Sequence, residues 1–207
     1  MKKFLFVLFI FLSSCSPSED NKKTDKTSDN AIEVSGDIKR IIIGNKNAKI
    51  VIIAYESLTC SHCANFHNEV LPHLKKDYID TGLAKIEFRH FPLDIAALNA
   101  SKITQCKHNQ SLEILESLYS NQQAWVKGNT VDKINENLKK FIVKEGYKIN
   151  FENCINNKEI EDFVLNDRIE GAKKFKIDST PTIIINNEKF EKSLNYKNLK
   201  KSLEKLI

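Results

Sequence analysis

Two cysteines separated by two residues form the most chemically active pattern in the sequence. Cys60 and Cys63 follow an apolar, β-branched run at residues 50–55 and precede apolar residues that recur every four positions. Such a pair, placed where a strand leads into a helix, can close a small redox disulfide. The free N–H groups and the dipole at the helix N-terminus favour the thiolate of the first cysteine, the species that attacks disulfides. The pattern therefore predicts thiol–disulfide exchange.

The two residues between the cysteines, Ser61 and His62, tune the balance between thiol and thiolate. We expect His62 to add a hydrogen-bond donor or a positive charge near the Cys60 sulfur. Because a stabilised thiolate stabilises the reduced protein, it makes the disulfide form a better oxidant.

A structural cysteine pair or half of a zinc site is the alternative interpretation. A zinc site normally adds a second C-x-x-C or an H-x-x-x-H pair, and the sequence contains neither. His67 follows Cys63 by four residues, but we predict that it is a surface residue of the helix. The sequence thus predicts no metal site and no cofactor.

The N-terminus explains the odd cysteine count of five. Met1–Lys3 is basic, and Phe4–Leu12 is an apolar run of about 13.5 Å as a helix, too short for the roughly 30 Å core of a bilayer. These features predict a signal peptide over residues 1–14. Leu12–Cys15 resembles the bacterial lipobox, in which the cysteine receives a lipid after cleavage, so we expect a lipid on Cys15. Cleavage by ordinary signal peptidase is the alternative.

The segment after Cys15 has no large apolar side chain up to Asn30. It cannot bury enough surface to offset its ordering entropy. We therefore predict a lipid-bearing tether at residues 15–31 and a folded domain at 32–207. A signal peptide places this domain outside the cytosol, where disulfides form and persist.

Composition and charge exclude several classes of function. Of the 207 residues, 41% are hydrophobic and 29% are charged, which excludes collagen-like and wholly disordered chains. The 32 basic and 27 acidic residues leave a net charge of +5 and are mixed along the chain. Since no element concentrates the basic residues, the sequence indicates no nucleic-acid partner.

The folded part alternates between strand and helix patterns. The β-branched runs at 41–43 and 50–55 predict strands. Because the second run is apolar at both alternating sets of positions, both of its faces should be covered, which predicts a central strand. A helix with a kink at Pro72 follows the cysteines, and alternating residues at 84–91 predict another strand.

Residues 94–175 are predicted to be mainly helical. One of these helices carries an apolar stripe: Val131, Ile134, Leu138, Phe141 and Ile142. A strand at 181–186 and a helix end the chain. The apolar face of this last helix carries Leu199, Leu203 and Leu206. This order of elements predicts an α/β fold.

Two motifs together resemble the thioredoxin fold. Cys60-Ser61-His62-Cys63 follows a strand, and Ser179-Thr180-Pro181-Thr182 precedes the last hairpin. In that fold, a cis proline from the second loop packs beside the redox pair. A long helical block between the two motifs is the layout of the DsbA-like disulfide oxidoreductases. The resemblance covers residues 32–207 and implies a thioredoxin fold with a large helical insertion, at 94–175, between the active-site half and the cis-proline half.

The resemblance also implies a role for each motif residue. Cys60 would be the exposed nucleophile and Cys63 the buried resolving thiol. Pro181 would be cis, which leaves the backbone of Thr180 free to pair with a substrate strand. The alternative for Pro181 is an ordinary trans proline that opens an edge strand.

The chain departs from the family pattern at three positions. Ser61 stands where DsbA itself has proline, so the redox potential of DsbA does not transfer to this chain. Ser179 replaces the glycine that is common in relatives. Ala54 occupies a position where the superfamily often has a buried acid, so any proton relay needs another group. Glu56 is close by in sequence, but we predict that it is a surface or strand-edge residue.

Cys106 and Cys154 lie in the predicted helical block. Some DsbA-like proteins carry a disulfide in their helical domain, so the resemblance permits a structural Cys106–Cys154 disulfide, which we expect. Two buried, unpaired thiols are the alternative.

The resemblance implies a thiol oxidase. The predicted signal peptide and lipobox place it in the periplasm, anchored to a membrane through a lipid on Cys15. It would pass its disulfide to reduced, unfolded secreted proteins through a mixed disulfide on Cys60, and a DsbB-like membrane protein would re-oxidise it. A disulfide isomerase or reductase with the same site is the second interpretation. A metal-binding chaperone that uses the cysteine pair with His62 or His67 is the third. The single Met lies in the leader, which leaves the mature protein no thioether for copper.

Overall fold

The computed structural model of the chain describes Met1 and residues 38–207. The predicted signal peptide, the lipid site at Cys15, the tether and the first residues of the predicted domain lie outside the described residues. Among the residues that are described, no helix is both long enough and apolar enough to cross a membrane.

A mixed sheet forms the centre of residues 38–207. Its five strands are β1 (Ile41–Gly44), β2 (Ile50–Glu56), β3 (Ala84–His90), β4 (Thr182–Ile185) and β5 (Glu188–Lys189). They lie in the order β1-β3-β2-β4-β5. Because β2 pairs in parallel with β3 and antiparallel with β4, it is the central strand, which confirms the prediction from its apolar pattern. β1 pairs antiparallel with the other side of β3.

The helices of residues 38–207 lie between and after these strands. They are α1 (Ser61–Asn65), α2 (Leu71–Leu74), α3 (Ile95–Gln105), α4 (Ser111–Ser120), α5 (Gln122–Trp125), α6 (Val131–Lys144), α7 (Phe151–Ile155), α8 (Lys158–Phe175) and α9 (Tyr196–Leu203). Helices α3 to α8 form the insertion between β3 and β4. This arrangement confirms the predicted α/β fold with a helical block before the last hairpin.

The helical segment after the cysteines is not a regular α-helix. The sequence predicts a kink at Pro72. In the structure, π-helical turns at Phe66–Val70 and Lys75–Ile79 lie on either side of α2, which holds this proline in its first turn. Proline has no N–H to donate to the turn before it, and the helical path is still continuous there, because the Leu71 N–H donates to the Phe66 carbonyl across the first π-helical turn. The π-helical turns accommodate the proline, and the segment continues to Ile79.

Helices cover both faces of the sheet. One face contributes alternate residues of β2 and β3 to the main apolar cluster: Ile52, Ala54, Ile86 and Phe88. On the other face, Ile53 and Tyr55 pack with Ile184 in a second cluster. Helix α8 approaches this face closely at Gly171, where a Cβ atom would lie 2.7 Å from Cε1 of Tyr55. The central strand is therefore buried on both sides.

Each of two predicted apolar helix faces includes one end residue that is exposed in the structure. Val131, the first residue of α6, is 37% exposed, although Leu138 and Ile142 of the same stripe are buried. Leu206 lies beyond the end of α9 and is 44% exposed, whereas Leu199 and Leu203 are buried. Val131 lies at the start of its helix and is exposed. The placement of Leu206 in the last helix is wrong, because α9 ends at Leu203.

A disulfide connects two helices of the insertion. Cys106 directly follows α3 and Cys154 lies in α7, and their Cα atoms are 5.6 Å apart. Both sulfurs lie against the main apolar cluster. The bond thus joins segments that are 48 residues apart in sequence.

We predict that the Cys106→Ala/Cys154→Ala variant loses stability but not chemistry. A crosslink across this loop contributes about 4 kcal/mol on the chain-entropy model. The variant should therefore melt at a lower temperature, while its disulfide transfer at temperatures where it is folded stays close to wild type. Thermal unfolding and a peptide-oxidation assay measure the two quantities. A slower transfer without any loss of stability would contradict a purely structural role, as would free thiols at both positions in the non-reduced wild-type protein.

Candidate active site

The cysteine pair lies at the point where the central strand leads into helix α1. Cys60 has extended backbone angles (φ −79°, ψ 119°) and directly precedes α1, and its carbonyl accepts the first helical hydrogen bonds, from the N–H groups of Cys63 and Ala64. Both cysteines are free thiols in this structure. Cys60 is half-buried, whereas Cys63 is 0% exposed. The first sulfur is therefore accessible to another thiol and the second is not.

The surroundings of Cys60 favour its thiolate. Its pKa is lowered from 9.0 to about 5, first by a hydrogen bond from the Cys63 thiol and then by Thr180 and the backbone N–H groups of Cys63 and His62. Partial burial acts in the opposite direction but is outweighed. At neutral pH, Cys60 is consequently a thiolate, which is the nucleophilic form.

The surroundings of Cys63 favour its protonated form. Burial raises the pKa of Cys63 far above its ordinary value, and the hydrogen bond to Cys60 and the negative charge of Glu56 raise it further. Cys63 therefore keeps the proton that it donates to the Cys60 sulfur. The pair holds one thiolate and one thiol side by side.

The second motif lies beside the Cys60 sulfur. The Thr180–Pro181 peptide bond is cis. The Cys60 sulfur lies 3.3 Å from the carbonyl oxygen of Thr180. The Thr180 hydroxyl is buried with no hydrogen-bond partner among the described residues. Thr180 contributes to the lowered pKa of Cys60. The structure thus brings Cys60, Cys63, Thr180 and Pro181 together.

A groove of about 410 Å³ opens next to these residues. His62 and Phe66 line one side, and Thr180, Pro181 and Leu194 line the other. Because the side chain of His62 is exposed, the contact of this residue with the Cys60 sulfur is made by its backbone N–H. A role for the imidazole in thiolate stabilisation stays a prediction.

Two polar residues that the sequence analysis assigned to the surface lie beneath the redox pair. Glu56 is the last residue of β2 and is 4% exposed, and His67 is buried in the π-helical turn after α1. His67 Nε2 lies 2.8 Å from Glu56 Oε2. The prediction of a surface Glu and a surface His is therefore wrong, since each side chain satisfies one polar atom of the other and can be buried.

Aromatic packing fixes the His67 ring within this pair. The ring stacks on Tyr119 of α4, with centroids 4.0 Å apart, and also contacts Phe88 of β3. Burial raises the pKa of Glu56, and His67 opposes that rise.

Among the described residues, no three His, Cys, Asp or Glu side chains are grouped closely enough to hold a metal ion.

Two further residues hold the loop that carries Cys60. Thr59 donates a hydrogen bond of 2.6 Å to Asp94, whose other carboxylate oxygen accepts from the Ala97 N–H at the start of α3. Gln122 of α5 donates from its side-chain amide to the carbonyls of Leu58 and Cys60. Neither contact can be predicted from the sequence, because nothing local in the sequence connects a residue of the insertion to this loop.

Comparisons with known proteins agree with this architecture. A family model described as Thioredoxin matches residues 37–205. The crystal structure of alpha-DsbA1 from Wolbachia pipientis is 31% identical in sequence, with a TM-score of 0.72, over 81% of this chain and 90% of that chain. Disulfide bond formation protein D of Bacillus subtilis is 25% identical over 89% of this chain and 85% of its own length.

A relative from Rickettsia conorii carries the provisional name of a protein-disulfide oxidoreductase. It is 27% identical over 84% of this chain. The chain spans between 58% and 67% of the length of the Rickettsia relatives that it matches.

The lowered pKa of Cys60 predicts a pH-dependent difference in stability between the reduced and the oxidised protein. Only the reduced protein has a Cys60 thiol that titrates, with a pKa of about 5 when folded against 9.0 as the ordinary value. A lowered pKa adds stability that is complete above the ordinary value and is lost as the pH falls through the folded value. The melting temperature of the reduced form, relative to that of the oxidised form, should therefore rise between about pH 5 and pH 9. A difference that does not change with pH would contradict the assignment.

Replacement of His62 by alanine isolates the contribution of its imidazole, because alanine keeps the backbone N–H. An exposed charge is worth about 1 kcal/mol at close range in water, so we predict that His62→Ala raises the Cys60 pKa by less than about one unit. The ultraviolet absorbance of the thiolate against pH measures the shift, with Ser61→Ala as the neighbouring control. An unchanged titration would exclude the imidazole from the mechanism.

Proposed function

Because the chain belongs to the thioredoxin family, among its DsbA-like members, we propose that it is a periplasmic thiol–disulfide oxidoreductase that donates its Cys60–Cys63 disulfide to reduced secreted proteins. The observation that carries this proposal is the unequal setting of the two cysteines: the accessible Cys60 lies at the N-terminus of α1 beside the cis Thr180–Pro181 bond, and Cys63 is enclosed. A thiolate that is stabilised at Cys60 stabilises the reduced protein, and the disulfide form becomes a stronger oxidant in consequence.

The proposed reaction begins with the oxidised protein. A substrate thiolate attacks the Cys60 sulfur, a bond forms between substrate and Cys60, and the Cys60–Cys63 bond breaks. The electron pair of that bond leaves on Cys63, which takes up a proton. Burial suits Cys63 to this role, because it raises the pKa of the thiol that forms.

A second substrate thiolate completes the transfer. It attacks the substrate sulfur of the mixed disulfide, and Cys60 leaves as a thiolate, which the surrounding donors stabilise. The substrate loses two electrons and two protons and gains a disulfide. The protein gains the two electrons, Cys63 keeps one proton, and the solvent receives the other.

The groove beside Thr180 and Pro181 suits an extended polypeptide. Its lining combines the partly exposed apolar residues Val70 and Leu194 with Thr180 and Pro181, which lie next to the nucleophile. An unfolded substrate can present a cysteine to Cys60 from such a groove, whereas a buried cysteine of a folded protein cannot reach it. We therefore propose reduced, unfolded secreted proteins as the substrate class.

The proposed location follows from the N-terminal sequence. A signal peptide at 1–14, a lipid on Cys15 and a tether at 15–31 would hold the domain at 32–207 on a membrane that faces the periplasm. The Cys106–Cys154 disulfide supports an oxidising compartment. A DsbB-like membrane protein is the proposed re-oxidant.

The equilibrium potential of the Cys60–Cys63 couple against glutathione tests the direction of the reaction. A disulfide donor has a potential near about −120 mV, whereas a thioredoxin-like reductase lies near about −270 mV. We expect a value towards the first figure, since the thiolate of Cys60 is stabilised. A value near the second would favour the reductase or isomerase interpretation instead.

Serine variants of the two cysteines test the assigned order of attack. Cys60→Ser should abolish disulfide transfer, because it removes the accessible sulfur. Cys63→Ser should accumulate mixed disulfides through Cys60, since no resolving thiol remains. Non-reducing electrophoresis after mixing each variant with an activated cysteine peptide detects these adducts. Adducts that form in Cys60→Ser but not in Cys63→Ser would reverse the assignment.

A further inference from the structure

One buried side chain of the helical insertion, that of Gln122, is hydrogen-bonded to the loop that carries Cys60. Gln122 is 8% exposed, and its Nε2 atom donates two hydrogen bonds, at 2.8 Å to the carbonyl of Leu58 and at 3.0 Å to the carbonyl of Cys60. Both hydrogens of the side-chain amide are used in this way. A single residue of α5 therefore bridges the residues on either side of Thr59.

The position of Gln122 is itself well fixed. It is the first residue of α5, whose last residue, Trp125, is fully buried in the main apolar cluster. The Trp125 indole donates a hydrogen bond of 2.9 Å to the carbonyl of Leu118 in α4. Rotation or displacement of α5 would break this contact, so the Gln122 amide projects towards the loop from an anchored helix.

The carbonyl of Cys60, to which Gln122 donates, belongs to the residue that carries the reactive sulfur. The Cys60 carbonyl also accepts the N–H groups of Cys63 and Ala64, at 3.1 and 3.2 Å, and so it defines the start of α1. The Cys60 sulfur is attached to the same residue and lies against the N–H groups of that first turn. Holding the carbonyl therefore holds the Cα–Cβ bond of Cys60, from which the sulfur reaches these N–H groups.

We propose that Gln122 is a positioning residue for disulfide exchange, which acts by holding the backbone of Cys60 so that its thiolate faces the donors of α1 and Thr180. This inference rests on the proposed function, since it assigns Gln122 to the same reaction. The helical insertion then contributes to the chemistry through a contact with the backbone and not only by covering the sheet.

Loss of the amide should affect the reduced protein more than the oxidised one. In the oxidised protein the Cys60–Cys63 bond fixes both sulfurs covalently, so the orientation of Cys60 no longer depends on Gln122. In the reduced protein the sulfur is free to turn away from its donors when the loop is released. A residue with a purely structural role would destabilise both forms to the same extent.

The test compares Gln122→Met with Gln123→Met. Methionine has a similar length but donates no hydrogen bond. Gln123 lies next to Gln122 in α5, is exposed, and makes no hydrogen bond to the loop among the described residues. We expect Gln122→Met to raise the Cys60 pKa by about half a unit to one unit, a threefold to tenfold weaker stabilisation of the thiolate, while Gln123→Met titrates as wild type.

Thermal unfolding in both redox states gives the second measurement. For Gln122→Met, the melting temperature should fall further in the reduced than in the oxidised protein. An unchanged thiolate titration, or equal losses of stability in both states, would overturn the proposal. If Gln122→Met does not fold, Gln122→Ala is measured in the same way. The titration needs no substrate, so a wild-type protein without transfer activity would overturn the proposed function and leave this test valid.

Discussion

A hydrogen bond between two sulfurs is the interaction on which the site depends. The Cys63 thiol donates to the Cys60 sulfur, and this bond lowers the pKa of one cysteine while it raises that of the other. The difference in burial acts in the same sense, since Cys63 is enclosed and Cys60 is accessible. Glu56 adds negative charge that keeps Cys63 protonated, and its contact with His67 allows that carboxyl to lie under the pair. The hydrogen bond, the difference in burial and the charge of Glu56 near Cys63 thus all keep Cys63 protonated.

The sheet explains why residues so distant in sequence meet at the Cys60 sulfur. β2 and β4 are hydrogen-bonded neighbours, with Tyr55 opposite Thr182. Because the two strands are antiparallel, the C-terminal end of β2, which leads to Cys60, lies beside the N-terminal end of β4, which follows Pro181. The two motifs must therefore lie side by side, whatever the length of the chain between them. An insertion can be placed in that gap without disturbing the pairing on which the site depends.

Features with a repeating pattern could be predicted from the sequence, and features that depend on a single distant partner could not. The apolar run of β2 predicted a central strand, and the alternation in β3 and the helical block were also confirmed. Glu56 and His67 were assigned to the surface because an isolated polar residue resembles a solvent-exposed one until its partner is known. Their burial arises from a strand end and a π-helical turn that meet only in the folded chain. The role of Gln122 could not be predicted for the same reason, because its partners are backbone carbonyls, which every residue has.

Two residues of the insertion, Asp94 and Gln122, make hydrogen bonds to the loop at residues 58–60. Asp94 caps α3 through the Ala97 N–H and also accepts the Thr59 hydroxyl, so the residue that starts the insertion is bonded to the residue before the nucleophile. Gln122 holds the other side of Thr59, through the carbonyls of Leu58 and Cys60. A loop bonded on both sides has little freedom to reorient when the disulfide opens. In the role proposed for Gln122, the helical block therefore acts on the reduced site through the backbone from which the Cys60 sulfur projects, while the groups that lower the pKa of Cys60 come from Cys63, Thr180 and the first turn of α1.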